Sequence, residues 1–113
     1  QSKELTDEQR FLQVVFEYIE KNYQHASLEE LSRLVNQTTY WVSKKIKALT
    51  NNNFKDLLQE KRLSMARHYL LYSDLPIQVI VEEVGYDNIS YFYRLFKSKY
   101  GLTPKAYQDS MKS

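Results

Sequence analysis

The chain has 113 residues, 42% of them hydrophobic and 14% aromatic, which supplies the core of one domain or of two very small units sharing an element. Two glycines and two prolines are too few for the turns of an all-β fold, and the lack of cysteine excludes a disulfide framework, a thiolate nucleophile and a Cys-based zinc site. The formal charge of +2 hides an asymmetry: residues 1–31 carry three basic and seven acidic side chains (net −4), and residues 32–113 carry thirteen and seven (net +6).

Phe11, Val15, Tyr18 and Ile19 return to one face of a helix from about Asp7 to Tyr23. Ser27 then offers an N-cap, with Glu30 three residues on as its capping-box partner. A short helix follows with Leu28, Leu31 and Val35 on its inner face, and it stops at Asn36, which tolerates a left-handed exit. Thr38 can cap the next helix, whose apolar positions are Val42, Ile46 and Leu49, and Asn51, Asn52 and Asn53 end it. A longer helix runs from Phe54 to about Tyr72 with Leu58, Met65, Ala66, Tyr69 and Leu70 on its buried side. Asp74 and Pro76 punctuate the chain before a helix carrying Ile77, Ile80, Val81 and Val84, which stops at Gly85. Asn88 or Ser90 can begin another, with Phe92, Leu95 and Phe96 inward. After Gly101, Thr103 and Pro104 start a last short helix to about Ser110. The expected fold is all-α with seven helices. It divides into a first lobe over 1–53, a linking helix over 54–73 and a second lobe over 74–113.

The two halves repeat each other. At an offset of 50, Trp41 falls on Tyr91, Val42 on Phe92, Lys44 on Arg94, Ile46 on Phe96, Lys47 on Lys97, Asn51 on Gly101 and Leu57 on Tyr107. Upstream of the turn the offset is 49, placing Leu31 on Ile80, Val35 on Val84 and Asn36 on Gly85, so the second turn holds one inserted residue. Each unit is a short helix, a tight turn opened by Asn or Gly, and a second helix with exposed cations, which is the pattern of a helix-turn-helix.

At these residues the chain resembles the AraC/XylS type of bacterial transcription regulator, most specifically over IQVIVEEVGYDNISYFYRLFKSKYGLTPKAY from Ile77 to Tyr107. Arg62, Leu63 and Ala66 match the family's middle helix. Val81 and Ser32 stand where Ala is usual, Asn36 and Asn51 replace glycines, Lys45 and Ile46 replace a Leu-Phe pair, and Gln108 replaces a frequent Arg. The resemblance implies sequence-specific binding of double-stranded DNA by two helix-turn-helix motifs in successive major grooves. The domain would be a monomer, and the full-length protein a cytoplasmic regulator, an activator or a repressor, that can dimerise through a regulatory domain.

Removing the inward positions leaves Thr39, Tyr40, Ser43, Lys44 and Lys47 facing outward on the first recognition helix, and Ile89, Ser90, Tyr93, Arg94 and Lys97 on the second. By the resemblance, Tyr40, Ser43, Lys44, Ser90, Tyr93 and Arg94 fall at base-contacting positions, and the others more often meet phosphate. Arg94 is the foremost candidate, because its planar fork pairs with both guanine acceptors. Trp41 and Tyr91 are expected to pack at the edge of each motif, with contact to a base or donation to phosphate as their alternatives, and His68 to be a partly exposed packing residue. Asp56 and Glu60 share a helix face, but nothing nearby suggests a cleft that would make them acid-base catalysts. The acidic first helix is expected to be solvated surface, with a regulatory domain or RNA polymerase as its alternative partner.

No enzyme and no cofactor are expected, as no nucleophile-base or metal constellation is present and His25 and His68 lie far apart. Apolar runs fall far short of the roughly 20 residues that span a bilayer and no signal peptide opens the chain, so a soluble intracellular protein is expected. The start at Gln1 suggests a piece of a longer protein. The competing function is a helical protein-interaction module, which would require apolar residues on the exposed faces that begin at Thr39 and Ser90.

Overall fold

The structure is a computed structural model that describes residues 4–111. Among these residues lie seven helices and no strand: α1 (Asp7–Asn22), α2 (Leu28–Leu34), α3 (Thr39–Thr50), α4 (Phe54–Tyr72), α5 (Ile77–Glu83), α6 (Ile89–Tyr100) and α7 (Pro104–Met111). The chain forms two compact units, Gln1–Gln59 and Glu60–Ser113, and the division falls inside α4.

In the first unit the buried apolar side chains are Phe11, Val15, Tyr18, Ile19 and Tyr23, then Leu31, Val42 and Ile46, then Phe54 and Leu58. Leu28, Val35 and Leu49, expected inside, are only half-buried, because each lies at the margin of its helical stripe. The α2 cap also differs from expectation. Ser27 Oγ accepts from Glu30 N–H at 3.1 Å, but the Glu30 carboxylate does not return to the Ser27 backbone. Tyr18 Oη takes that place, accepting from Ser27 N–H at 2.9 Å while donating to Glu30 Oε1 at 2.6 Å. Burial of Tyr18, with the Glu30 carboxylate against its hydroxyl, raises its pKa. Two complete capping boxes stand elsewhere. In one, Thr6 Oγ1 accepts from Gln9 N–H at 3.0 Å while Gln9 Oε1 accepts from Thr6 N–H at 2.8 Å, and in the other Asn53 Oδ1 accepts from Asp56 N–H at 2.8 Å while Asp56 Oδ2 accepts from Asn53 N–H at 3.4 Å.

Ser32 is buried in α2, and its hydroxyl finds no hydrogen-bond partner among the described residues. Desolvating an unpaired hydroxyl costs free energy that an alanine would not incur. Ser32→Ala should therefore stabilise the first unit by about 1 kcal/mol, read as a higher denaturant midpoint. A midpoint lower than that of the parent would mean that the hydroxyl is paired.

The second unit buries Leu63, Ala66 and Leu70 of α4 with Ile80, Val81, Val84, Tyr86, Phe92, Phe96, Pro104 and Tyr107. Its repeat of the first unit holds down to the hydrogen bonds. Asn36 N–H reaches Arg33 O and Gln37 N–H reaches Ser32 O, and 49 residues on Gly85 N–H reaches Glu82 O and Tyr86 N–H reaches Val81 O. Asn36 and Gly85 both take positive φ, 57° and 107°. The N-caps Thr38 and Asn88 stand 50 apart, as do the left-handed C-caps Asn51 and Gly101. Asp87 is therefore the inserted residue.

A β-branched side chain is strained at the Gly85 φ. Gly85→Val should destabilise the second unit by about 1–3 kcal/mol. A variant that melts like the parent would mean that the turn tolerates a Cβ.

Candidate nucleic-acid interface

Each recognition helix starts at a side-chain cap. Thr38 Oγ1 accepts from Trp41 N–H at 3.0 Å and Asn88 Oδ1 accepts from Tyr91 N–H at 2.9 Å. These caps fix the first turn, which is the part of the helix whose side chains project beyond the motif. On α3, Val42 and Ile46 point into the core, which turns Thr39, Tyr40, Lys44 and Lys47 to solvent and leaves Ser43 half-buried. Tyr40 is 70% exposed, and Lys44 Nζ lies 5.2 Å from its ring centroid. Lys47 Nζ donates to Asn51 O at 3.2 Å, so its ammonium is drawn toward the C-terminal end of α3.

On α6, Phe92 and Phe96 point inward, while Ile89, Ser90, Arg94 and Lys97 are exposed and Tyr93 is half-buried. The Arg94 guanidinium carbon lies 5.8 Å from the Tyr91 ring centroid. Lys97 is one helical turn further from the cap. Each set of outward residues stands on its own helix in its own unit.

Several neighbouring cations are already engaged. Lys45 pairs with Glu8 of α1 at 3.2 Å and lies 6.0 Å from the Trp41 ring. Lys99 pairs with Glu60 of α4, and Lys105 pairs with Asp109 at 3.4 Å. Glu60 thus serves an ion pair and Asp56 a cap. Trp41 packs edge-on to Phe11 of α1 at 5.4 Å. His68 is exposed, 5.1 Å from the Tyr72 ring. An open cleft of about 320 Å³ runs along the flank of α3, lined by Tyr40, Trp41, Lys44, Lys45 and Ala48.

The residue least visible in the sequence is Tyr86. It is buried, with Arg62 of α4 5.4 Å from its ring centroid, and burial pushes its hydroxyl up to about 12 although the Arg62 charge opposes the shift. Arg62 comes from a helix some twenty residues upstream, so local periodicity carries no sign of that contact. Among the described residues no cluster of three or more His, Asp or Glu could hold a metal ion, and no helix is long and apolar enough to cross a membrane.

Residues 25–110 match the protein family described as a helix-turn-helix domain. The chain is 28% identical over 112 residues to the bifunctional transcriptional activator/DNA repair enzyme AdaA of Bacillus subtilis, a match covering 98% of this chain and 53% of AdaA. It is 38% identical over 60 residues to the HTH-type transcriptional activator FapR of Escherichia coli, covering 53% of this chain and 23% of FapR. The chain thus spans between about a seventh and about half of the length of the curated relatives it matches. Among solved structures, the C-terminal domain of the two-component response regulator yesN from Fusobacterium nucleatum superposes with a TM-score of 0.81 at 30% identity, over 88% of this chain and 98% of that one.

Proposed function

The chain belongs to the AraC/XylS family of helix-turn-helix regulators, and on that premise we propose that it binds double-stranded DNA sequence-specifically through α3 and α6 and so regulates transcription. The single observation that carries this reading is that the same motif is built twice, with matching caps and turns, and that each copy turns polar and cationic side chains outward from the first turns of its second helix. Tyr40, Ser43, Lys44, Ser90, Tyr93 and Arg94 are assigned to base edges, and Thr39, Lys47 and Lys97 to phosphates. Two recognition helices in one chain call for an asymmetric site of two segments about 34 Å apart, bound by one copy. The chain would act by binding alone, without catalysis. Within a longer cytoplasmic regulator, contact with RNA polymerase or dimerisation would fall to surfaces outside these two helices.

Arg94 and Lys97 separate base reading from phosphate binding, since both are cationic and stand three residues apart on α6. Arg94→Ala should cost about 1–3 kcal/mol on the preferred site and relax discrimination at one base pair, with much less effect on a random duplex. Lys97→Ala should weaken all sequences nearly equally and reduce the salt slope by about one. Arg94→Lys should behave more like the alanine variant than the parent, because the charge remains and the bidentate fork is lost. The experiment selects bound sequences from a random duplex pool, then titrates each variant against the winning site, its single-base variants and a random duplex. Equal losses for Arg94→Ala on every sequence would move base reading to Ser90, Tyr93 or α3. No enrichment from the pool would overturn sequence-specific binding.

A further inference from the structure

An exposed arginine on a helix ordinarily samples many rotamers and must be immobilised when it engages a base pair. Arg94 is placed differently. Its guanidinium lies over the Tyr91 ring, and that ring is backed in turn: Tyr91 is half-buried and meets the ring of Tyr86 edge-on, 6.1 Å between centroids. Tyr86 is buried against Phe92 at 5.6 Å and lies beneath the Arg62 guanidinium of α4 at 5.4 Å. The Tyr86 hydroxyl has no hydrogen-bond partner among the described residues, so ring packing holds it in place. A continuous series of cation and ring contacts therefore runs from Arg62 through Tyr86 and Tyr91 to Arg94, all within the second unit.

The first motif lacks this backing. Lys44, the counterpart of Arg94, lies over Tyr40, which is largely exposed and has no ring behind it among the described residues. Trp41, the counterpart of Tyr91, engages Phe11 and Lys45 instead.

We infer that Tyr91 is a positioning residue for Arg94: its ring, fixed by Tyr86, holds the guanidinium before DNA arrives, with the N–H edge free for the two acceptors of a guanine. The inference rests on Arg94 reading a base. Its consequence is that discrimination at one base pair depends on a side chain that need not touch the DNA.

Two measurements test it. In the free protein the Arg94 side-chain protons should show upfield ring-current shifts in the NMR spectrum that Tyr91→Phe keeps and Tyr91→Leu abolishes. In titrations, Tyr91→Leu should lower discrimination between the selected site and its guanine variant by about threefold to tenfold, the cost of immobilising one long side chain. Random-duplex affinity and salt slope should be unchanged, and Tyr91→Phe should match the parent. In an Arg94→Ala background Tyr91→Leu should have no further effect. Ordinary Arg94 shifts in the parent would overturn the proposal whether or not the leucine variant folds. So would a Tyr91→Leu loss that is equal on all sequences or persists without Arg94, which would make Tyr91 a DNA contact in its own right. A parent that binds no duplex would overturn the DNA-binding reading itself, a different result from a parent that binds and discriminates independently of Tyr91.

Discussion

Affinity for a selected duplex should fall by roughly two to four orders of magnitude between 50 and 200 mM salt, on a log-log line of slope about −4 to −7. The slope follows from the phosphates neutralised, about 4 to 8 of them at roughly 0.9 each. Lys44, Arg94 and Lys97 stand outside the ion pairs of the described residues, and the N-termini of helices add partial positive charge. Lys45, Lys99 and Lys105 are held by Glu8, Glu60 and Asp109. Exposed pairs of this kind are weak, so any that open toward phosphate would steepen the line. Titration by fluorescence anisotropy at four or five salt concentrations reads it directly. A slope near zero would favour the protein-interaction module, because apolar docking does not release counterions.

Helix limits were legible wherever a side chain caps its own helix or a backbone needs positive φ. Thr38, Asn88, Asn36, Asn51, Gly85 and Gly101 act within four residues of their own positions, and both periodicity and repeat register follow from them. The cap at Ser27 was only half legible, because the group that displaces the Glu30 carboxylate is a tyrosine hydroxyl nine residues upstream. The same holds for charge. Counting cations on α3 and α6 locates a basic face, but Glu8 reaches Lys45 across 37 residues and Glu60 reaches Lys99 across 39. Sequence pattern cannot say which lysines are already paired. The recognition residues themselves were readable by subtraction, since fixing Val42, Ile46, Phe92 and Phe96 inward determines what projects outward. The ring system behind Arg94 was not readable, because Tyr86 reaches Tyr91 from the turn that precedes α6, outside any helical period.

Phe96→Ala should be strongly destabilising, costing about 3–5 kcal/mol. Phe96 is fully buried and meets three other rings: Tyr100 at 4.7 Å, Tyr107 at 5.6 Å and Phe92 at 5.7 Å between centroids. These neighbours are rigid and come from α6 and α7, so they cannot collapse into the space a lost phenyl leaves, and the cavity cost adds to the lost transfer free energy. Against the total stability of about 5–15 kcal/mol typical of a domain, that is a large share of the margin. Ile46, its counterpart 50 residues upstream, is also fully buried but smaller, so the same truncation there should cost less. The lone tryptophan, Trp41, lies in the first unit and provides a separate probe. In Phe96→Ala the denaturant midpoint read by helical circular dichroism should fall well below the parent's, and the change in Trp41 emission should come later than the loss of helix. A variant with the parent's midpoint would mean that the three rings close over the gap, and the aromatic cluster would then not be what holds α6 in place.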